Sequence, residues 1–293
     1  MKFDNWRAVA WICIFFNPYM VNLFRFSLFP KNAVQSIRRI FKTIVAQRGG
    51  YDKKSYENRD LLDMLLKMKS EAALENNEIS EDVLIAQAAI MLQGGYDTTA
   101  VTLTFCVYEL AFDPDRQEIL YQELADAKEK LGNDKDLDAA TLKDLNYLNC
   151  VLKEILRLYP AMGWLDRVAT RDYQLTDKLT IPAGTAIYIN AVGMQRSADY
   201  FPEPDAFRPE RFLPENEHKI PSYTYLPFGD GPRGCIGKRF AFNSMRQALA
   251  ATVLNYEIRP LPNSRKPHQV GIEKKSMFLC PDGPLSVEFV HRN

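Results

Sequence analysis

Ten residues near the end of the chain limit its fold more than any other feature: Phe228-Gly229-Asp230-Gly231-Pro232-Arg233-Gly234-Cys235-Ile236-Gly237. Glycines at 229, 231, 234 and 237 strip side chains from a short loop, permit tight turns and let the backbone approach a flat partner closely. A lone cysteine is ordinarily a small buried hydrophobe. Here the flanking glycines and Arg233 point instead to Cys235 being presented as a ligand. A helix expected from Ile236 to Leu254 would direct its first amides at the sulfur and favour the anionic form. The stretch also satisfies G-x-G-x-x-G, but a dinucleotide domain needs flanking βαβ units. What precedes it is proline-rich and only about sixty residues follow, so that reading is set aside.

Upstream the pattern is helical. Apolar spacing predicts helices over Ala33–Gln47, ending at Gly49-Gly50, and over Asp60–Ser70, where Leu61, Leu62, Leu65 and Leu66 form one face. Ser80 is a good N-cap, and Glu81 and Asp82 suit the positive end of a helix running to about Leu110. Gly94-Gly95 falls in its middle, a cost of about 1–2 kcal/mol relative to alanine. Something must approach the backbone there, or the helix must bend. Further helices are expected from Pro114 to Lys130 and from Leu142 to Tyr159, the second closed by Pro160.

Beyond Pro160, Leu179–Pro182 and Thr185–Asn190 read as a hairpin turning at Ala183-Gly184. The prolines of residues 200–233 exclude long regular elements, and short strands are expected near Tyr256–Arg259 and Leu285–Val290. The class is mainly α with a minor β-sheet, one domain over residues 1–293, helical to residue 160 and mixed thereafter.

Composition removes several functions. Acidic and basic residues balance at 37 each, which leaves no basic footprint for nucleic acid. Five scattered cysteines without a C-x-x-C pair argue against a disulfide framework or a zinc cluster and for a reducing compartment. His218, His268 and His291 are too few and too scattered for a multi-histidine site. Met1–Arg7 is no secretory cap, and the apolar run Ala8–Phe16 is too short to span a bilayer. That run is expected to be a buried helix. The alternative is a patch at a membrane interface with Trp11, Phe15, Phe16, Tyr19, Phe24, Phe26 and Phe29.

Two other motifs accompany the cysteine loop in order. Glu154-Ile155-Leu156-Arg157 puts a carboxylate and a guanidinium on one helical face, and Pro209-Glu210-Arg211-Phe212 follows. Gly94-Gly95-Tyr96-Asp97-Thr98-Thr99 sets an acid and hydroxyls beside a gap in side chains. Taken together these resemble the cytochrome P450 family: F-G-x-G-x-R-x-C-x-G, E-x-x-R with P-E-R-F, and [A/G]-G-x-[D/E]-T-[T/S]. A chance match to the first alone is of order 10⁻⁸ per start position.

The resemblance implies the family fold and a haem–thiolate monooxygenase that inserts one atom of dioxygen into a lipophilic substrate. It implies Cys235 as axial ligand to the haem iron, and Arg233 and Arg167 on the haem propionates, with Arg171 close to the second. Phe228 and Gly229 would flank the cofactor. It implies a locally opened helix at Gly94-Gly95, with Thr98 and Asp97 delivering protons to bound dioxygen. Glu154, Arg157 and Arg211 would form a structural triad. Ala161–Leu165, Ile90–Gln93 and Lys275–Phe278 would fall at the substrate pocket. Electrons would come from NADPH through NADPH-cytochrome P450 reductase, at the cytosolic face of the endoplasmic reticulum membrane.

The resemblance covers the later part of that fold. The membrane anchor, first sheet and early helices are expected to be missing, and no W-x-x-x-R stands where the family has it; Trp6, Trp11 and Trp164 do not supply one. Gln195-Arg196 replaces the frequent His-Arg. The competing expectation is therefore a truncated remnant that does not hold haem alone.

Overall fold

The longest element among the described residues is a 32-residue helix, Glu81–Phe112, whose Val83 amide donates to the Ser80 hydroxyl at 3.4 Å, in keeping with the N-cap expected there. In this computed structural model the described residues are 9–10, 13, 18–24, 30–51, 60–132 and 135–292. Of the interface patch, Trp11, Phe15, Phe16, Phe26 and Phe29 lie outside them, as does Trp6. Within the run 8–16, Val9, Ala10 and Cys13 are helical, and Ala10 and Cys13 are buried.

The chain divides into two compact units, Met1–Tyr96 and Asp97–Asn293, with the boundary inside the long helix. In the first unit α1 (Pro18–Phe24) is followed by α2 (Lys31–Gln47), α3 (Leu61–Leu74) and the start of α4 (Glu81–Phe112). Its core is Phe41 and Val45 of α2, Leu65 and Leu66 of α3, and Leu84 and Ile85 of α4. Asp60 caps α3 through the Asp63 amide (3.1 Å). Arg48 reaches from the end of α2 to both Asp60 (2.5 Å) and the buried Asp63 (2.8 Å).

The second unit continues with α5 (Pro114–Leu131), α6 (Ala139–Asp144) and α7 (Asn146–Leu158). Pro114 stands at the first turn of α5, where the sequence suggests a helix begins, and Asp113 caps it. One helix was expected over Leu142–Tyr159; the structure has two. Leu145 is extended, and the bare amides of Tyr147 and Leu148 bond the Glu123 carboxylate of α5 at 2.7 and 2.8 Å. That cap comes from a different helix, so no local pattern announces it.

Short strands follow: β1 (Leu165–Val168), β2 (Tyr173–Thr176), β3 (Leu179–Ile181) and β4 (Ala186–Ile189). The expected hairpin between residues 179 and 190 does not form. β3 pairs with β2 and β4 with β1, both antiparallel. Gly184, at φ +82°, turns the chain, and its neighbours bond upstream: Ala169 N to Thr185 O at 3.0 Å, Ala183 N to Asp172 Oδ1 at 2.8 Å. After α8 (Ala191–Gln195) the proline-rich chain holds only the 3₁₀ turns Pro209–Phe212 and Gly231–Arg233 and the single turn α9 (Pro214–Glu217). α10 (Lys238–Asn255) starts two residues after Ile236; β5 (Tyr256–Pro260) and β6 (Val287–His291) form near where strands were expected and pair antiparallel. The class, mainly α with small antiparallel sheets, is as read from the sequence.

The core of this unit centres on α7, whose Leu148, Val151, Leu152 and Ile155 are wholly buried. Phe105 and Leu110 of α4, Leu120 and Leu124 of α5, and Met245, Leu249 and Val253 of α10 belong to the same cluster. Among the described residues no helix is long and apolar enough to cross a membrane.

Candidate functional site

Cys235 lies in a loop closed on itself by backbone hydrogen bonds. Its amide donates to Phe228 O (2.8 Å), Gly234 N to Gly231 O (2.9 Å) and Gly229 N to Leu226 O (3.1 Å). Gly229 and Gly231 adopt φ of +66° and +72°, where a side chain would be strained. A Cβ at Gly237 would sit 3.7 Å from Cys235 Sγ, so the missing side chain leaves room directly beside the sulfur. All five cysteines are unpaired. Cys13, Cys106 and Cys150 are buried, whereas Cys235 is exposed, between exposed Ile236 (78%) and Arg233. Ile236, next in the chain, and Phe240 on the first turn of α10 are exposed apolar side chains.

Arg233 makes no hydrogen bond or ion pair with another described residue, and Arg167 donates only to the carbonyl of Asp166 (2.7 Å). Among the described residues, then, neither guanidinium has a carboxylate paired with it. The strand carrying Arg167 adjoins the loop, since Leu165 lies 3.7 Å from the Cβ position of Gly229. The Leu279 amide bonds Ala161 O at 3.1 Å, which brings the Ala161–Leu165 segment against the one that follows Lys275–Phe278. Ile90–Gln93 belongs to the other unit, where Ile90 and Leu92 are exposed.

The triad is assembled and buried. Arg157 forks onto Glu154 (Nε to Oε2 2.7 Å, Nη2 to Oε1 2.8 Å), with neither side chain exposed. Glu154 Oε1 also accepts from Arg211 Nε (3.3 Å) and the Arg208 amide (2.8 Å). Arg157 donates onward to the carbonyls of Gln195 (2.8 Å), Pro204 (2.7 Å) and Ala206 (3.2 Å). One guanidinium thus fixes three points of irregular chain that has no ladder of its own.

The expected opening at Gly94-Gly95 is absent: α4 stays helical across both glycines. Glycine lowers the cost of opening a helix without supplying the group that would hold it open. A Cβ at Gly94 would meet nothing within 4 Å, so the surface there is bare. Asp97 and Thr98 are half-buried, and Thr98 O accepts from Thr102 Oγ1 at 2.9 Å. The hydroxyl of Thr99, part of the motif but given no role of its own there, is buried with no hydrogen-bond partner among the described residues. A buried orphan of that kind signals a missing partner.

A groove of about 1010 Å³ opens behind the loop, lined by Phe228 and Gly229 with Lys143, Lys153, Lys238, Arg239 and Arg246. Among the described residues Glu217 is the one carboxylate in its lining, and it pairs with Lys153 at 2.6 Å.

Comparison with known proteins places the chain in a family. The family model described as Cytochrome P450 matches residues 7–289. The chain is 38% identical over 260 residues to cytochrome P450 6j1 of Blattella germanica, covering 89% of this chain and 50% of that protein. It is 34% identical to cytochrome P450 3A18 of Rattus norvegicus over 99% of this chain and 57% of the relative. The probable cytochrome P450 6g2 of Drosophila melanogaster is 32% identical over the same shares. The chain spans about half the length of the curated relatives it matches.

Proposed function

The chain belongs to the cytochrome P450 family, and we propose that it forms the haem-thiolate part of a monooxygenase acting on a lipophilic substrate. The observation that carries this reading is the exposed Cys235 thiol in a glycine-cleared loop. The residues present fit the cofactor. One thiol is offered beside bare backbone, two arginines with no carboxylate paired to them among the described residues suit two carboxylates, and apolar surface awaits cover. Bound haem supplies the activation of dioxygen, which a thiolate ligand favours by donating electron density to iron.

In this reading Cys235 ligates as thiolate, Arg233 and Arg167 hold the propionates, and Phe228 and Gly229 form the wall beside the sulfur. Thr98 would hold a proton for delivery and Asp97 would exchange it with water. The orphaned Thr99 hydroxyl adds a second donor on the same turn. Family relatives that rearrange peroxides usually lack the acid–threonine pair, so its presence supports oxygen activation. Electrons would arrive from NADPH through a reductase. The cationic groove is the surface that an acidic partner would fit, because among the described residues lining it five are cationic and Glu217 alone is acidic. Exposed Tyr19, Leu23 and Phe24 support contact with the endoplasmic reticulum membrane surface.

The test is the carbon monoxide difference spectrum of the reduced, haem-supplemented chain beside Cys235→Ser. A red-shifted Soret band that disappears in the variant is the expected result. Identical spectra, or no haem uptake, would overturn the reading and leave the chain a remnant that does not hold haem alone.

A further inference from the structure

Gln195, the last residue of α8, is polar yet has no exposed surface. Its amide nitrogen donates to the carbonyls of Leu156 (3.2 Å) and Arg157 (3.0 Å). Those carbonyls belong to the last turn of α7, where a helix has no N–H donors of its own to offer them. Its amide oxygen accepts from the Leu226 amide at 2.7 Å. The acceptor role toward an N–H fixes which end of the side chain is oxygen. Both donors and one lone pair are thereby used. From Leu226 the connection continues through Leu226 O to the Gly229 amide, and through Phe228 O to the Cys235 amide.

We propose that Gln195 is a positioning residue for the cysteine loop, the side chain through which the end of α7 fixes the entry of the loop. Its bearing on turnover rests on reading Cys235 as the thiolate ligand; the tie itself does not. A primary amide suits the place because it offers donors and an acceptor at every pH. The charged groups around it are Arg157, held by Glu154 on α7, and the adjoining Arg196, held by Asp205. On the loop side the titratable neighbour is Tyr225, whose hydroxyl donates to Lys153 O at 3.0 Å. That second anchor keeps the segment attached when the Gln195 tie is lost.

Amide hydrogen exchange on the full chain tests this with Gln195→Leu and Gln195→His. In Gln195→Leu the Leu226–Cys235 amides should exchange about tenfold or more faster, since a buried N–H and two carbonyls lose their partners. Amides of α5 should keep their rates. Neutral imidazole offers one donor and one acceptor, so Gln195→His at about pH 8 should stay within about threefold of wild type. At about pH 5.5 the imidazolium has no lone pair for Leu226, and exchange should move toward that of Gln195→Leu.

Unchanged exchange over Leu226–Cys235 in Gln195→Leu would overturn the proposal, as would an equal rise in α5. If that variant does not fold, Gln195→His decides, and a pH response no larger than wild type's overturns the proposal. A confirmed tie without a thiolate Soret band would sink the haem reading and leave this one standing.

Discussion

Arg157→Leu is expected to destabilise the chain by about 3–5 kcal/mol, a large share of what a domain of this size possesses. Arg157 and Glu154 are wholly buried and joined by two charge-assisted hydrogen bonds of 2.7 and 2.8 Å. Removing the guanidinium leaves a carboxylate in the core with Arg211 at 3.3 Å and the Arg208 amide as its remaining partners. It also strands the carbonyls of Gln195, Pro204 and Ala206. Arg157→Lys keeps the charge but not the fork, so its loss should be intermediate. Urea titration followed by circular dichroism reads both. A loss below about 1 kcal/mol in Arg157→Leu would mean that the pair behaves as an exposed one, contrary to the burial found.

This buried pair also marks where sequence stops being sufficient. The i,i+3 spacing of Glu154 and Arg157 is legible, and so is the recurrence of Arg211 in P-E-R-F. Their complete burial is not, because it depends on the irregular chain from Gln195 to Ala206 folding over them. Helices α2, α3, α4 and α5 were legible to within a few residues because their apolar spacing and their caps at Asp60, Ser80 and Asp113 are local. The break at Leu145 was not, since the amides it frees are met by Glu123 from another helix. Strands β3 and β4 were located but mispaired. Their partners β1 and β2 are four residues each, and β2 is exposed throughout, too little for a period-2 pattern to declare itself. In the candidate site, Cys235 and its loop stood out through composition alone. Thr99 and Gln195 were visible in their motifs, but their roles were not, because a hydroxyl without a partner among the described residues and a three-way amide are properties of packing.

Glu109→Gln is expected to make the chain more stable above neutrality, and to do so in a pH-dependent way. Glu109, on α4, is buried, and its carboxylate accepts from Tyr159 Oη at 2.6 Å. Phe105 stacks on the Tyr159 ring at 4.0 Å between centroids, and the Arg196 guanidinium lies 5.3 Å from that ring's centre. Burial pushes the carboxyl up to about 7; the Tyr159 hydrogen bond and the charge of Arg196 oppose the shift without cancelling it. A carboxyl whose affinity for its proton is raised by folding stabilises the native state fully below the unfolded value, near 4.5. That contribution fades as pH rises toward 7, because the unfolded chain releases the proton first. The amount at stake is about 3 kcal/mol. Glutamine keeps an acceptor for Tyr159 and has no proton to lose. The stability of Glu109→Gln relative to wild type should therefore be constant below about pH 4.5 and grow by about 3 kcal/mol between there and pH 7 to 8. Taking the difference between the two proteins removes the acid sensitivity of every other carboxylate. Urea midpoints across that range measure it, and a difference that stays flat would show that Glu109 carries its charge in the folded protein without penalty.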